Sequence, residues 1–110
     1  MSKQSNFVES VSDSKLVVQC ASRDRCHDLR NLGGKRKTLN RRIWVFDFAS
    51  EEELAGLLNN LRDLGFAMAG GSSGWPPAAV FESLREKGKT TGQFQEMLWK
   101  APDEASIIER

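Results

Sequence analysis

The amino-acid sequence predicts a small α+β domain in which two or three helices pack on a single small sheet of three to five strands. The chain has 110 residues, which matches the roughly 100–150 residues of a typical single domain. Short apolar runs with the alternation of strands are separated by segments with helical spacing, and the order of these elements is mixed. We therefore expect one domain over residues 1–110, with a loose N-terminal arm over residues 1–14.

The strands are expected where short runs of apolar residues occur. Residues 15–21 form a short run with two valines. In residues 43–48 every position except Asp47 is apolar, so both faces of a strand there would be apolar. A strand that is apolar on both faces is typical of the centre of a sheet, so residues 43–48 are expected to be covered on both sides. Residues 66–69 and 93–100 predict further strands, and residues 105–108 either add an edge strand or dock as a tail.

The second helix has the clearest local pattern. Ser50 is followed by Glu51, Glu52 and Glu53, which is a capping box with acidic residues at the positive helix end. The buried face of this helix is predicted from the i, i+3, i+4, i+7 spacing of five leucines: Leu54, Leu57, Leu58, Leu61 and Leu64. Gly65 is expected to end it.

Two other helices are indicated by their end signals. Ser22 precedes a segment with Cys26, Leu29 and Leu32 at helical spacing, and Gly33 follows it as a stop signal. A third helix is expected to start at residues 76–77, where two prolines suit a first turn, and to end at Gly88.

No segment predicts a membrane span or a secretion signal. The longest apolar runs fall well short of the roughly 20 residues that a spanning helix needs, and residues 1–14 are polar and mixed in charge. We therefore expect a cytoplasmic protein without a membrane partner. In that reducing compartment Cys20 and Cys26 are expected to be free thiols, and their short spacing gives no reason to expect a bridge.

The sequence contains no complete catalytic or metal-binding constellation. Cys20, Cys26 and the single histidine, His27, do not have a zinc-ligand spacing. Residues 70–74 match the bare G-x-S-x-G pattern, yet nothing pairs Ser72 with a base, so a plain turn is expected there. We predict no catalytic residues, no metal, no cofactor and no enzymatic activity.

The charge is unevenly distributed, although the net charge is only +1. Residues 23–42 contain eight basic and two acidic side chains, whereas residues 47–64 contain five acidic and one basic. Five cations fall within eight residues of a predicted loop: Lys35, Arg36, Lys37, Arg41 and Arg42. Closely set cations neutralise phosphates, while charge runs of this kind also occur simply as solvated loops. If they bind phosphate, we expect them to lie together on one exposed face.

Trp75 lies between a glycine-rich turn and two prolines. It either packs back on the core at the start of the third helix or stands exposed as an anchor for a protein partner. We keep it as a candidate partner-binding residue.

The stretch from Leu32-Gly33-Gly34-Lys35 to residues 41–46 resembles the HARP domain of annealing helicases and similar short modules of phage and conjugation proteins. Arg42, Trp44 and Phe46 fit the basic-x-Trp-x-Phe element of those modules, over a matching span of about residues 15–64. Residues 38–40 depart from the family pattern, which has an aromatic–Asp pair before the tryptophan, and nothing from residue 66 onwards is covered. The resemblance implies a DNA context and establishes no activity.

Two functions follow from these observations. The first is a non-enzymatic accessory module that associates with nucleic acid through the basic segment and is encoded by a mobile element. The alternative is a protein-interaction module that forms a homodimer or inhibits a larger complex, for which symmetric pairing of the basic segment with the acidic helix is one route.

Overall fold

The computed structural model confirms the α+β class. It describes residues 6–12, 14–20, 23–36, 42–70, 76–101 and 104–109. Within those ranges the chain forms one mixed sheet of seven strands and three helices. No described helix has both the length and the apolar character that crossing a bilayer demands.

The sheet has more strands than the three to five expected from the sequence. The strands are β1 (Phe7–Val11), β2 (Lys15–Gln19), β3 (Lys35–Arg36), β4 (Ile43–Asp47), β5 (Ala67–Gly70), β6 (Gln95–Ala101) and β7 (Glu104–Glu109), in the order β3-β4-β2-β1-β5-β6-β7. The helices are α1 (Arg23–Asn31), α2 (Glu51–Asp63) and α3 (Pro77–Glu86). The two additional strands are β1 and β3, which the sequence analysis had placed in an arm and in a loop.

Strand β1 occupies the middle of the sheet, so the expected loose arm over residues 1–14 is wrong for Phe7–Val11. It pairs antiparallel with β2 and parallel with β5, and Val8 has 0% of its surface exposed. The polar residues around Phe7, Val8 and Val11 concealed this strand, because its alternation is broken by a register shift between Val8 and Ser10.

Strand β4 is covered by helices on one side only. Trp44 and Phe46 are buried in the main core, whereas Ile43 and Val45 on the opposite face are half-buried. The sequence predicts that both faces of β4 are covered. The face on which the helices pack is buried as predicted, whereas the opposite face is only half-buried. The side with the helices contains the main core, to which α2 and α3 contribute Leu58 and Phe81 among others.

Helix α2 follows the sequence prediction closely. The Ser50 hydroxyl accepts a hydrogen bond from the Glu53 N–H at 3.2 Å, and the Glu53 carboxylate accepts one from the Ala49 N–H at 2.7 Å. Leu54, Leu58 and Leu61 are buried as expected, and Leu57 and Leu64 are partly buried against the same core. The helix ends at Asp63 with Leu64 as its C-cap, and Gly65 follows with a φ of +93°, a conformation that favours glycine.

The end of α1 sets the path into the short strand β3. Gly33 has a φ of +95°, and its N–H donates to the Arg30 carbonyl at 3.0 Å, as in a helix-terminating turn. A Cβ at Gly34 would lie 2.7 Å from the Phe46 ring, so the chain passes too close to this ring for a side chain. The Leu-Gly-Gly and Trp-x-Phe segments are thus joined by packing in the core.

The C-terminal half matches the expected elements. Helix α3 begins at Pro77, buries Phe81 and Leu84 and is followed by Gly88 with a φ of +76°. Strand β6 pairs in parallel with β5 and antiparallel with β7. Residues 104–109 therefore form an edge strand, which settles the choice between a strand and a docked tail.

Candidate functional site

Three of the five cations of the basic segment (Lys35, Arg36, Lys37, Arg41 and Arg42) belong to the described residues, and two of these three form the β3 edge of the sheet. Lys35 and Arg36 form β3 itself, opposite Val45 and Trp44 of β4, and the expectation of a loop is wrong for these two residues. Arg42 directly precedes β4, so antiparallel pairing returns it toward the same edge. All three side chains are exposed. Lys37, Arg41 and Trp75, the remaining candidates, lie outside the described residues.

The two cations of β3 do not share a face of the sheet. Lys35 is in register with Val45 and Arg36 with Trp44, and successive strand residues point to opposite faces. The expectation of a single basic face is therefore wrong for this pair. Because β3 is the last strand of the sheet, both side chains still project from one edge.

Asp47, an acidic side chain that interacts electrostatically with Lys35, is already paired with Lys15. Asp47 accepts a hydrogen bond from the Lys15 ammonium group at 2.6 Å, and this bond lowers the pKa of Asp47, with a smaller contribution from the charge of Lys35. In the described part of the chain, neither Lys35 nor Arg36 forms a salt bridge with a carboxylate. Lys35 and Arg36 are therefore exposed cations that no salt bridge among the described residues offsets.

The acidic start of α2 is neutralised within the chain. Glu51 lies 3.2 Å from both Lys87 and Lys89, and Glu52 lies 2.9 Å from Lys89. The hydrogen bond from Lys87 is the main cause of the lowered pKa of Glu51, and that from Lys89 is the main cause of the lowered pKa of Glu52. Glu53 is used in the helix cap. The acidic cluster seen in the sequence is thus a local ion-pair network.

Among the residues whose side-chain burial is described, which do not include Trp75 and Trp99, no fully exposed aromatic offers a stacking platform. Phe48 is half-buried, and six other aromatic side chains are buried: Phe7, Trp44, Phe46, Phe66, Phe81 and Phe94. Stacking on bases requires an exposed aromatic face. This surface can therefore contact phosphates through charge, and it has no described aromatic with which to grip bases.

A cleft of about 420 Å³ lies between α2 and α3. Its lining is mainly apolar, and its charged members, Glu51 and Lys87, pair with each other across the mouth. Neither a cysteine nor a histidine lines it. The polar part of the lining consists of Ser83 and of this ion pair, whose carboxylate also contacts Lys89.

Other chemistry-bearing side chains are dispersed. His27 is exposed on α1, whereas Ser72 lies outside the described residues. The prediction that His27 does not pair with Ser72 therefore stays a prediction. Among the residues with a described position, no three His, Cys, Asp or Glu side chains are grouped closely enough to hold a metal ion.

The sequence analysis missed one close pair of reactive groups. The sulfur atoms of Cys20 and Cys26 lie 3.1 Å apart, and no disulfide joins them. The signal that could have indicated the contact is positional: Cys20 directly follows β2, and Cys26 is near the start of the next helix.

No family model matches this chain, and comparisons with curated proteins and with solved structures likewise find no match.

Proposed function

We propose that this protein is a non-enzymatic, nucleic-acid-associated accessory module that contacts phosphates through its basic segment. The observation that carries the proposal is the charge balance at the β3 edge. Lys35 and Arg36 are exposed and form no salt bridge in the described part of the chain, while the nearby Asp47 is paired with Lys15. Lys37, Arg41 and Arg42 extend the same basic segment in the sequence.

Phosphate binding suits this surface better than base recognition. Each phosphate neutralised by a Lys or Arg side chain releases condensed counterions, which favours association with any sequence. Cations at a sheet edge can contact successive phosphates of a nucleic-acid backbone. Lys35 and Arg36 project from opposite faces of the sheet at this edge, so both are available for such contacts. The resemblance of residues 15–64 to HARP-like modules supports a DNA context, and an accessory protein of a mobile element fits this kind of binding.

The charge balance also favours this proposal over self-association between basic and acidic ends. That pairing would have to compete with the ion pairs that Glu51 and Glu52 already form with Lys87 and Lys89 of the same chain. A protein-interaction module, in which Trp75 or the basic segment contacts a protein, is the alternative that the experiment below distinguishes.

The test is fluorescence anisotropy with duplex and single-stranded oligonucleotides over a series of salt concentrations. The double variant Lys35→Ala with Arg36→Ala should reduce the salt slope for duplex binding by roughly two units, because each lost phosphate contact removes about 0.9 of a unit. The weakening should be similar for all sequences. The matched control, Lys87→Ala with Lys89→Ala, makes the same change in net charge away from the β3 edge and should leave the slope unchanged.

Two results would overturn the proposal. One is the absence of binding at micromolar protein and about 50 mM salt, where phosphate contacts are strong. The other is an equal loss of slope in both double variants, which would assign the effect to net charge alone. A change in oligomer mass by light scattering in the Lys35→Ala, Arg36→Ala variant, without nucleic-acid binding by the wild type, would instead identify a protein-interaction module.

A further inference from the structure

The pair formed by Cys20 and Cys26 is suited to reversible chemistry. Their Sγ atoms are 3.1 Å apart without a bond between them. A disulfide has an S–S length of about 2.0 Å, so the two sulfurs need to approach by only about 1 Å to form one.

Regular structure holds both residues in place. Cys20 directly follows β2, and its backbone N–H donates to the Arg42 carbonyl at 2.8 Å. Cys26 belongs to α1, and its thiol also lies 3.7 Å from the Cys20 carbonyl oxygen. The contact between the sulfurs is therefore set by the junction of a central strand with a helix.

The two thiols differ in access. Cys20 has only 1% of its surface exposed, whereas Cys26 is partly exposed. Redox-sensing cysteines usually combine an accessible thiol with a neighbouring resolving thiol. Two thiols that served only as small apolar side chains would need neither the difference in access nor the direct contact of their sulfurs.

We propose that Cys20 and Cys26 form a redox-active dithiol that closes to an intramolecular disulfide when the protein meets a peroxide or a small-molecule disulfide. Cys26 reacts first because a solvent-borne oxidant can reach it, and Cys20 resolves the intermediate. This inference is independent of nucleic-acid binding, since it concerns only the junction of β2 and α1.

The steps balance with either oxidant. The Cys26 thiolate attacks a peroxide oxygen, the O–O bond breaks, water leaves after protonation, and Cys26 becomes a sulfenic acid. Cys20 then attacks the Cys26 sulfur, the S–O bond breaks and a second water leaves, so two thiols are oxidised and one peroxide is reduced. With a disulfide such as oxidised glutathione, the same two attacks release two equivalents of the small thiol.

The first test is equilibration of the reduced protein in glutathione buffers of known ratio, followed by acid quenching and intact-mass measurement. The expected product has lost two hydrogen atoms and retains no glutathione. The equilibrium constant for closing the disulfide should be more than about tenfold larger for the folded protein than for the same chain in urea, a difference of about 30 mV for a two-electron couple. Equal constants in the two states would show that the fold contributes nothing and would overturn the proposal.

Single variants assign the order of reaction. Cys20→Ser should accumulate a stable glutathione adduct at Cys26, since the resolving thiol is absent. Cys26→Ser should remain almost unmodified while folded, because Cys20 is buried. Rapid modification of Cys20 in the Cys26→Ser variant, or disulfide-linked dimers as the main wild-type product, would contradict the assigned roles. Circular dichroism of both variants establishes that they are folded.

Discussion

At the scale of single residues, the charged side chains matter through the partners they find. Ion pairs on a protein surface contribute little to stability, typically below about 1 kcal/mol each. Their larger consequence here is to decide which charges stay available to a ligand. Lys87 and Lys89 form ion pairs with Glu51 and Glu52. Lys35, at the β3 edge, forms no salt bridge with a described carboxylate.

The network at the start of α2 makes a prediction about titration. Lys89→Ala should raise the pKa of both Glu51 and Glu52, while Lys87→Ala should raise that of Glu51 alone, because Lys87 does not contribute to the lowered pKa of Glu52. Titration of the side-chain carboxyl carbons by NMR measures each value separately. Equal effects of the two substitutions on Glu52 would contradict the pairing.

The sign of the associated pH effect follows from the lowered pKa values. A carboxylate whose pKa is lower in the folded state stabilises the fold above its unfolded pKa, and this stabilisation is lost as the pH falls through the folded pKa. The wild type should therefore lose this contribution in the acidic range, below the usual pKa of glutamate. The Lys87→Ala, Lys89→Ala double variant should lose less stability there, and high salt should reduce the difference.

Of the candidate site, the sequence predicts only that cations are clustered within a short segment, and not how these cations are arranged in the fold. The clustering of Lys35 and Arg36 is visible in the sequence, but their strand pairing with β4 depends on residues about ten positions away. The partners of Glu51 are farther still, 36 positions in the case of Lys87. The contact of Cys20 with Cys26 depends on the angle between a strand and a helix. The composition of the chain and the spacing of its residues do not reveal which of these side chains lie close together in the fold.

At the scale of elements, predictability follows the range of the interactions that define each one. Helix α2 is specified by its own residues, through the Ser50 cap and the leucine spacing, so the sequence predicted it correctly. Strand β1 pairs with the neighbouring β2, and it also depends on the distant β5, since Phe7 pairs with Ala67. A strand whose alternation is interrupted by two neighbouring polar residues, Glu9 and Ser10, and which has a distant partner gives only a weak local signal. For that reason Phe7–Val11 was expected to be an arm.

The packing of α2 can be tested by comparing two adjacent leucines. Leu58 is fully buried, at 0% exposure, whereas Leu57 is only partly buried. Leu58→Ala should reduce the free energy of unfolding by about 2–5 kcal/mol, since it removes transfer energy and leaves a cavity in the core. Leu57→Ala, with the same chemical change and the same helix propensity, should cost clearly less. Urea denaturation measures both values, and equal losses would contradict the assigned helix face.

At the scale of the whole molecule, the sheet is assembled around a strand from near the N-terminus. The order β3-β4-β2-β1-β5-β6-β7 places β1 between an antiparallel half, which includes the basic edge, and a half that contains β5 and β6. The direct strand pairing between the halves runs through β1. The basic edge is thus held to the rest of the molecule by β1 as well as by the helices that cover one side.

Removal of β1 should therefore abolish cooperative folding. A chain without residues 1–11 loses the hydrogen bonds of two strand pairs and the buried side chains of Phe7, Val8 and Val11. It also leaves β2 and β5 with exposed edges in the middle of the sheet, which favours aggregation. The matched control lacks only residues 1–5 and keeps Asn6, whose carbonyl accepts a hydrogen bond from the Ala67 N–H at 3.2 Å.

Urea denaturation followed by tryptophan fluorescence and circular dichroism compares these two truncated chains with the full chain. The control should unfold in one transition with an m-value close to that of the full chain, because m scales with the surface exposed on unfolding. The longer truncation should show a broad, low-amplitude change without a native baseline. A sharp transition with an unchanged m-value in that chain would mean that β1 is dispensable and that the two halves of the sheet are joined by the helices alone.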